Sequence, residues 1–326
     1  MPPGIRPPLR MGFQMWAQHV SWRALVDAAV AIESRGFDSL WSNDHFFPIA
    51  GYQLDINESL EGPIFEAWMV LSGFVACTTR LRLGCMVSGA GYRNPGLLLK
   101  MASTLDHASE GRLVLGIGAG WYERDHVAFG YRYPGVGQRL DRLEESVVAI
   151  RRLLDGEIVT MHGDWVRLTD ARNDPPPLQK RMPLLIGGSG AKRTLPIVAG
   201  YADWWNGEGT PEEIAGKNAL IDRLCTTNGR QPTDIVRTVG LATPVIRATS
   251  AEAIKVSVET LVRHGMAPDE ARNAASSSPF VGSAEQVAAQ LVKYADAGAE
   301  EVLFDWPSPF DRETLDALAD LRLALG

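Results

Sequence analysis

Short apolar runs alternate along the chain with longer segments whose apolar residues recur at helical spacing. The apolar runs have the length of buried strands, and most become polar only at their downstream ends. That pattern is typical of a parallel sheet covered on both faces. It predicts strands at 9–15, 37–41, 81–87, 112–120, 183–188, 202–206, 236–246 and 300–306.

Each predicted strand is followed by a predicted helix. The helical segments are 21–36, 65–79, 94–109, 140–154, one from about Lys192, one from Pro211, one from near Ser250, 282–298 with a Ser283–Gln286 capping box, and a last one to about Leu325. An eightfold strand–helix alternation in a chain of 326 residues predicts an α/β fold, a closed (β/α)8 TIM barrel. A doubly wound open sheet is the alternative, because periodicity alone does not prove closure.

No linker-like composition divides the chain, so we expect one domain over residues 1–326, with residues 1–8 flexible. The segments 46–64, 121–139 and 267–280 read as irregular insertions. Residues 157–169 alternate on both sides of a His-Gly-Asp turn, which predicts a β-hairpin.

Composition narrows the possible functions. The net charge of −7 argues against nucleic acid or an anionic membrane as a partner, so we expect a small organic substrate. The three cysteines are widely spaced, and the chain has neither a CxxC pair nor an HExxH motif, which gives little support for a disulfide framework or a metal site. With neither a signal-peptide pattern nor a long apolar stretch, the sequence predicts a cytoplasmic protein.

In (β/α)8 barrels the active site lies at the downstream ends of the strands. There the fifth predicted strand runs into Gly187, Gly188, Ser189 and Gly190 before a helix. Backbone N–H groups of such a turn, beside a helix N-terminus, bind phosphate, and Lys192 and Arg193 can add charged donors. A plain strand–helix turn with flexible glycines remains the alternative.

The fourth predicted strand ends in a G-x-G-x-G run. Its spacing is not that of a dinucleotide-binding motif, and we expect Gly118 and Gly120 to clear space for a flat ring. Downstream, Glu123 and His126 either pair or contact a substrate, or are exposed residues of an insertion. Aromatic residues at other strand ends, Trp16, Trp121 and Trp205, are candidates for the substrate pocket.

His45 follows Asp44 where the second predicted strand ends. An imidazole titrates near neutral pH and therefore suits general acid–base work. Asp44 can fix the imidazole tautomer or contact a cofactor ring.

Together, these segments resemble the luciferase-like monooxygenase superfamily, and specifically its oxidoreductases that use the deazaflavin coenzyme F420. The similarity runs nearly end to end and is carried by "GFDSLWSNDHF", "LRLGCMVSGAGYRNPGLLLKMASTLD", "GRLVLGIGAGWYERDHVAFGY", "RLDRLEESVVAIRRL", "PLLIGGSGAKRTLPIVAGYADWWN" and "VGSAEQV". The resemblance implies a (β/α)8 barrel with an insertion, a homodimer, and hydride transfer between F420 and an organic substrate.

By position, the resemblance implies that Asp44 contacts the deazaflavin and that His45 is the acid/base. A non-prolyl cis peptide would lie at Met86–Val87. Ser88 and Asn94 would lie along the cofactor, and the Gly187–Gly190 turn would hold its phosphate.

One position departs from the family pattern. The sugar-phosphate dehydrogenases of this branch have a glutamate where this chain has Trp121, which cannot ionise. Glucose 6-phosphate is therefore a doubtful substrate, and an apolar or aromatic one is favoured. Two alternatives stay open: an FMN-dependent monooxygenase supplied by a separate reductase, and a non-catalytic flavin or deazaflavin carrier.

Overall fold

A closed barrel of eight parallel strands forms the centre of the computed structural model, which describes residues 8–49 and 61–325. The strands are β1 (Arg10–Met15), β2 (Ser39–Ser42), β3 (Arg82–Cys85), β4 (Leu113–Gly118), β5 (Leu184–Gly187), β6 (Trp204–Gly207), β7 (Val236–Leu241) and β8 (Glu301–Trp306). Each pairs in parallel with the next, and β1 pairs with β8. The sheet therefore closes on itself, and the predicted barrel, rather than the open sheet, is confirmed.

The helices surround the barrel in chain order. They are α1 (Trp22–Ser34), α2 (Ala67–Cys77), α3 (Pro95–Ala108), α4 (Glu123–Ala128), α5 (Val136–Leu154), α6 (Thr194–Tyr201), α7 (Pro211–Thr227), α8 (Ser250–Arg263), α9 (Pro268–Ser277), α10 (Ala284–Asp296) and α11 (Arg312–Leu325). The capping box expected at the start of α10 is present, with Ser283 and Gln286 bonded reciprocally. Among the described helices, none is long and apolar enough to cross a membrane.

Two segments expected to be irregular contain helices. Residues 121–139 contain α4 and the first turn of α5, and residues 267–280 contain α9. Helix α9 was missed because its buried face consists of small residues, Ala271 and Ala275, which give a weak hydrophobic signal. Residues 157–169 contain most of an antiparallel strand pair, Val159–His162 with Arg167–Ala171. The expectations for residues 1–7 and 50–60 lie outside the described residues.

Buried side chains form two layers. A small cluster fills the barrel and contains Trp41 and Trp204, whose ring centroids are 6.2 Å apart. The larger cluster lies between the strands and the helices and includes Trp205. Successive residues of a strand face opposite sides of a sheet, so Trp204 and Trp205 of β6 occupy different layers.

Glycines in β4 make room for the neighbouring strand. A Cβ atom on Gly116 would lie 2.0 Å from the carbonyl oxygen of Cys85, and one on Gly118 would lie 2.6 Å from the Val87 side chain. The end of β3 is therefore able to press against β4 only because these positions lack side chains.

We expect Gly116→Ala to lower the free energy of unfolding by about 3 kcal/mol, because the obstructing atom belongs to the backbone and cannot rotate away. Gly216→Ala is the matched control. Gly216 lies inside α7 with open space around its Cβ position, so alanine should stabilise the protein by about 1 kcal/mol. Denaturant unfolding of both variants measures the difference, and equal midpoints would contradict the close approach at Gly116.

Candidate active site

A cavity of about 510 Å³ opens where the barrel strands end. Its wall combines strand-end residues with the loop after β2 and the first turns of α5. Among the described residues that line it are Trp16, Asp44, His45, Met86, Val87, Gly118, Gly120, Trp121, Arg139, Gly187, Gly188, Gly190, Thr194, Glu208 and Asp305. Its volume lies within the usual range for small-molecule sites.

The base of this cavity is a break in the third strand. The peptide bond between Met86 and Val87 is cis, as expected from the family resemblance, and the strand resumes at Ser88–Gly89, which pairs with the end of β4. Gly118 of the G-x-G-x-G run and Gly187 of the glycine-rich turn both make room for this break, since a Cβ atom on either would lie within 3.0 Å of the Val87 side chain. The space beside these glycines is therefore occupied in part by the Val87 side chain, and the rest belongs to the cavity.

His45 faces the cavity and is held by a carboxylate from a distant segment. Its Nδ1 lies 2.8 Å from Oδ2 of Asp125, a fully buried residue of α4. An ionised carboxylate only accepts hydrogen bonds, so Nδ1 carries the proton. Nε2 is then the ring nitrogen left for a ligand in the cavity.

Asp125 is fixed by three further donors. The backbone N–H groups of Phe46 and Phe47 donate to its Oδ1 at 3.1 and 3.0 Å, and the Tyr92 hydroxyl donates to Oδ2 at 3.2 Å. Burial and the neighbouring carboxylate raise the pKa of Tyr92, which keeps its hydroxyl protonated as a donor. Asp125 therefore orients the His45 ring and positions the loop that carries it. The sequence pattern pointed to its neighbours Glu123 and His126 but not to Asp125.

Asp44 has a different partner from the one the sequence suggested. Arg93 donates to both of its carboxylate oxygens, at 2.6 and 3.1 Å, and also to Glu66. Burial raises the pKa of Asp44, while the charge and hydrogen bonds of Arg93 act against that shift. Asp44 lines the cavity as expected, but the suggestion that it fixes the His45 tautomer is wrong, because Asp125 occupies that position.

The glycine-rich turn bounds another part of the cavity. Gly187, Gly188 and Gly190 line it together with Thr194, the first residue of α6. Gly188 has φ +120°, a conformation that side-chain-bearing residues rarely adopt. Ser189 lies outside the lining, where its hydroxyl accepts a hydrogen bond from the Glu208 backbone N–H.

The cations near this turn differ from those expected. Lys192 is exposed, and Arg193 forms ion pairs with Asp141 and Glu144 of α5 at 2.7 and 3.3 Å. Neither lines the cavity, whereas Arg139 of α5 does. Sequence analysis missed Arg139 because α5 approaches the turn only in the folded barrel.

Besides Ser189, Lys192 and Arg193, five further residues predicted for the site lie outside the cavity wall. Ser88 is buried and accepts a hydrogen bond from Trp68, and Asn94 is exposed and caps α3. Glu123 is exposed on α4. His126 is buried behind Gly120 with its Nδ1 bonded to the Tyr122 carbonyl, and burial lowers its pKa. Trp205 belongs to the outer core, with its indole N–H bonded to the Gly188 carbonyl, so its predicted place in the substrate pocket is wrong.

Asp305, at the end of β8, is a second carboxyl in the cavity wall. It is 5% exposed, and the Trp16 indole N–H donates to its Oδ1 at 3.3 Å. Burial raises the pKa of this carboxyl from 3.8 to about 7, with Glu208 adding to the shift. Perturbed acids of this kind are frequent in functional sites. Across the described residues, no group of three or more His, Cys, Asp or Glu side chains forms a metal site.

Comparison with known protein families identifies the family of this chain. The profile of the luciferase-like monooxygenase family matches residues 10–301. The chain belongs to this family. The resemblance inferred from the sequence segments is thereby confirmed at the level of the family.

Similar curated members of the family are named F420-dependent glucose-6-phosphate dehydrogenases. The one from Amycolatopsis mediterranei is 32% identical over 195 residues, which cover 60% of this chain and 54% of that protein. The one from Nakamurella multipartita is 32% identical over 227 residues, covering 69% of this chain and 58% of that protein. The chain thus matches little more than half the length of these relatives.

Solved structures of other proteins share the fold. An F420-dependent secondary alcohol dehydrogenase in complex with an F420–acetone adduct superposes with a TM-score of 0.78 at 19% identity, covering 98% of this chain and 100% of that chain. The oxygenating constituent of 3,6-diketocamphane monooxygenase from Pseudomonas putida, in complex with FMN, gives 0.72 at 16% identity, with 97% of each chain covered. At these identities the likeness concerns the fold.

The Asp305 carboxyl makes folding stability depend on pH. Because its folded-state pKa is raised, the folded protein binds this proton more tightly than the unfolded chain, and stability falls as pH rises from about 4 to about 7. Asn cannot ionise, so the stability of Asp305→Asn relative to the original protein should increase over that interval by up to about 4 kcal/mol, then level off.

Chemical unfolding of the two proteins across pH 4–9 measures this difference. Asp320→Asn, at an exposed position of α11, is the control and should give a flat difference. Parallel curves for Asp305→Asn and the original protein would show that Asp305 is an ordinary acid.

Proposed function

We propose that this member of the luciferase-like family is a coenzyme F420-dependent oxidoreductase. When bound, the deazaflavin would supply hydride exchange at its C5 with an organic substrate. The observation that carries the proposal is that three features line the same cavity. They are the glycine-rich turn, the apolar surface at the Met86–Val87 cis peptide, and His45, whose ring is oriented by Asp125. The names of the curated relatives, at 32% identity over about 200 residues, support F420 as the cofactor.

The donor set fits the phosphate that such a cofactor carries. A Cβ on Gly190 would lie 2.9 Å from Oγ1 of Thr194, so the turn packs closely on the first residue of α6, and both residues line the cavity. N–H groups beside a helix N-terminus favour an anion, and Arg139 is the cation of the described cavity wall. Met86 and Val87 offer the apolar surface that a flat ring needs.

His45 is the proposed acid/base. With Nδ1–H donated to Asp125, Nε2 gives a proton to the substrate during its reduction or accepts one during its oxidation. The Asp125 carboxylate stabilises the imidazolium that forms in the second case. Trp121 also lines the cavity, and its ring packs edge-on against the His45 ring with the centroids 5.4 Å apart. The homodimer and the cytoplasmic location expected from the sequence remain predictions within this proposal.

An FMN-dependent monooxygenase is the second candidate. Solved structures of the same fold include an enzyme in complex with FMN, and FMN shares with F420 a tricyclic ring and a phosphate. The glycine-rich turn would accept either phosphate, so the fold does not separate them.

Titration of the purified protein with each cofactor separates the two candidates. We expect F420 to bind at least tenfold more tightly than FMN, as measured by quenching of cofactor fluorescence. Tighter binding of FMN, with oxygen-dependent turnover when reduced FMN is supplied, would replace the proposal with the monooxygenase.

Replacing His45 or Asp125 should separate chemistry from binding. With a substrate found by screening alcohols and ketones, we expect His45→Gln to lower kcat by about 10²–10⁴-fold and Asp125→Asn by about 10²-fold, because the proton partner or its orientation is lost. The dissociation constant for F420 should change less than about threefold. Glu123→Gln, an exposed carboxylate on the same helix as Asp125, is the control and should keep full activity.

A result in which both variants keep the original kcat would contradict the assigned roles. If the protein binds F420 but turns over none of the screened compounds, with or without His45, the non-catalytic carrier is favoured.

A further inference from the structure

A second cavity, of about 390 Å³, adjoins the first on the side of α8 and α9. Its described wall is mainly apolar and comes from the end of β7, the two helices and the segment after α9. The apolar residues that matter here are Leu241, Leu261, Met266, Ala274, Phe280 and Tyr294. Nothing in the proposed cofactor site uses this space.

The two cavities meet at three side chains. Trp16, Glu208 and Asp305 line both cavities, and we call these three residues the junction. The Trp16 indole N–H donates to Oδ1 of Asp305, and 95% of the surface of Asp305 is buried. A buried carboxyl group needs several hydrogen bonds, so a hydroxyl or amine of a ligand would be a favourable partner here.

The charges around the second cavity are acidic. Glu208, Glu213 and Asp305 are the ionisable acids of its described wall, and no Lys, Arg or His is part of that wall. Glu213 is held by the backbone N–H of Thr210 at 2.9 Å. Lys217 lies nearby, with its Nζ donating to the Glu208 backbone carbonyl, but it does not line the cavity.

This arrangement discriminates between ligands by charge. A phosphate or carboxylate placed at the junction would lose its hydration while facing carboxylates instead of cations. An uncharged hydroxyl can donate to Asp305 at little cost, and an apolar chain attached to it would fill the second cavity. His264 packs against the Trp16 ring at 5.6 Å, and burial lowers its pKa, so it brings no positive charge to the junction at neutral pH.

We propose that the organic substrate lies across the junction, with an uncharged hydrogen-bond donor on Asp305 and an apolar body in the second cavity. The inference rests on the proposed function and names its substrate class, which excludes phosphorylated and carboxylated compounds. It departs from the glucose 6-phosphate named for the curated relatives. Asp305 would then be a specificity-determining residue of the site.

Binding of straight-chain alcohols and fatty acids of equal length tests this class without requiring turnover. Saturation-transfer NMR on the purified protein at pH 8 would follow alkanols and the corresponding alkanoates from four to ten carbons. We expect alkanol affinity to rise by about fourfold per methylene until the cavity is filled. Each alkanoate should bind at least tenfold more weakly than its alkanol.

Two variants assign the binding to the two parts of the proposed site. Asp305→Asn removes the negative charge and should bring the alkanoate and alkanol affinities within about threefold of each other. Ala274→Phe fills the second cavity from α9 and should weaken the longest alkanols at least tenfold. Asn273→Phe introduces the same side chain at an exposed position of that helix and should change neither the alkanol affinities nor the alkanoate affinities.

Equal binding of alkanols and alkanoates by the original protein would overturn the proposal. So would long-chain affinity that survives in a folded Ala274→Phe variant, or a charge preference unchanged in Asp305→Asn. F420 titration of the same proteins keeps the two hypotheses apart, since failure to bind F420 refutes the proposed function while the alkanol series still tests the substrate class.

Discussion

The hydrogen bond between Asp125 and His45 joins the loop after β2 to helix α4 at the barrel mouth. It links the end of β2 to the helix that follows β4, 80 residues further along the chain. The same carboxylate accepts the N–H groups of Phe46 and Phe47, so it holds the loop as well as the imidazole. A buried carboxylate is stable only when such donors surround it, and here satisfying Asp125 also orients the candidate acid/base.

The base of the cavity depends on the absence of side chains at three glycine positions. Gly116 admits the Cys85 carbonyl just before the break at Met86–Val87, and Gly118 and Gly187 admit the Val87 side chain. The result is an apolar surface next to the glycine-rich turn. A flat ring with a phosphate tail matches an apolar surface beside a glycine-rich turn better than a sugar or a nucleic acid does.

Much of the fold is readable from the sequence because its signals are local. Strand and helix periodicity predicted the barrel, the Ser283–Gln286 capping box is local, and the family resemblance located the cis peptide. The site is less readable because its contacts are distant. Asp125 carries no local signal, because its partners His45, Phe46 and Phe47 lie about 80 residues away; Asp305 stands at a strand end, but its raised pKa arises from burial in the closed barrel. Trp205 was misplaced because only strand register decides which of two adjacent tryptophans faces outward.

We expect this cavity to hold a flat redox cofactor with its phosphate on the glycine-rich turn and its reacting edge beside His45. The decisive experiment is a crystal structure of the protein with F420. We predict the deazaflavin over Met86–Val87, the phosphate against Gly188 and Gly190, and Nε2 of His45 turned towards the ring. A deazaflavin bound elsewhere, or one whose phosphate lies away from that turn, would contradict the account.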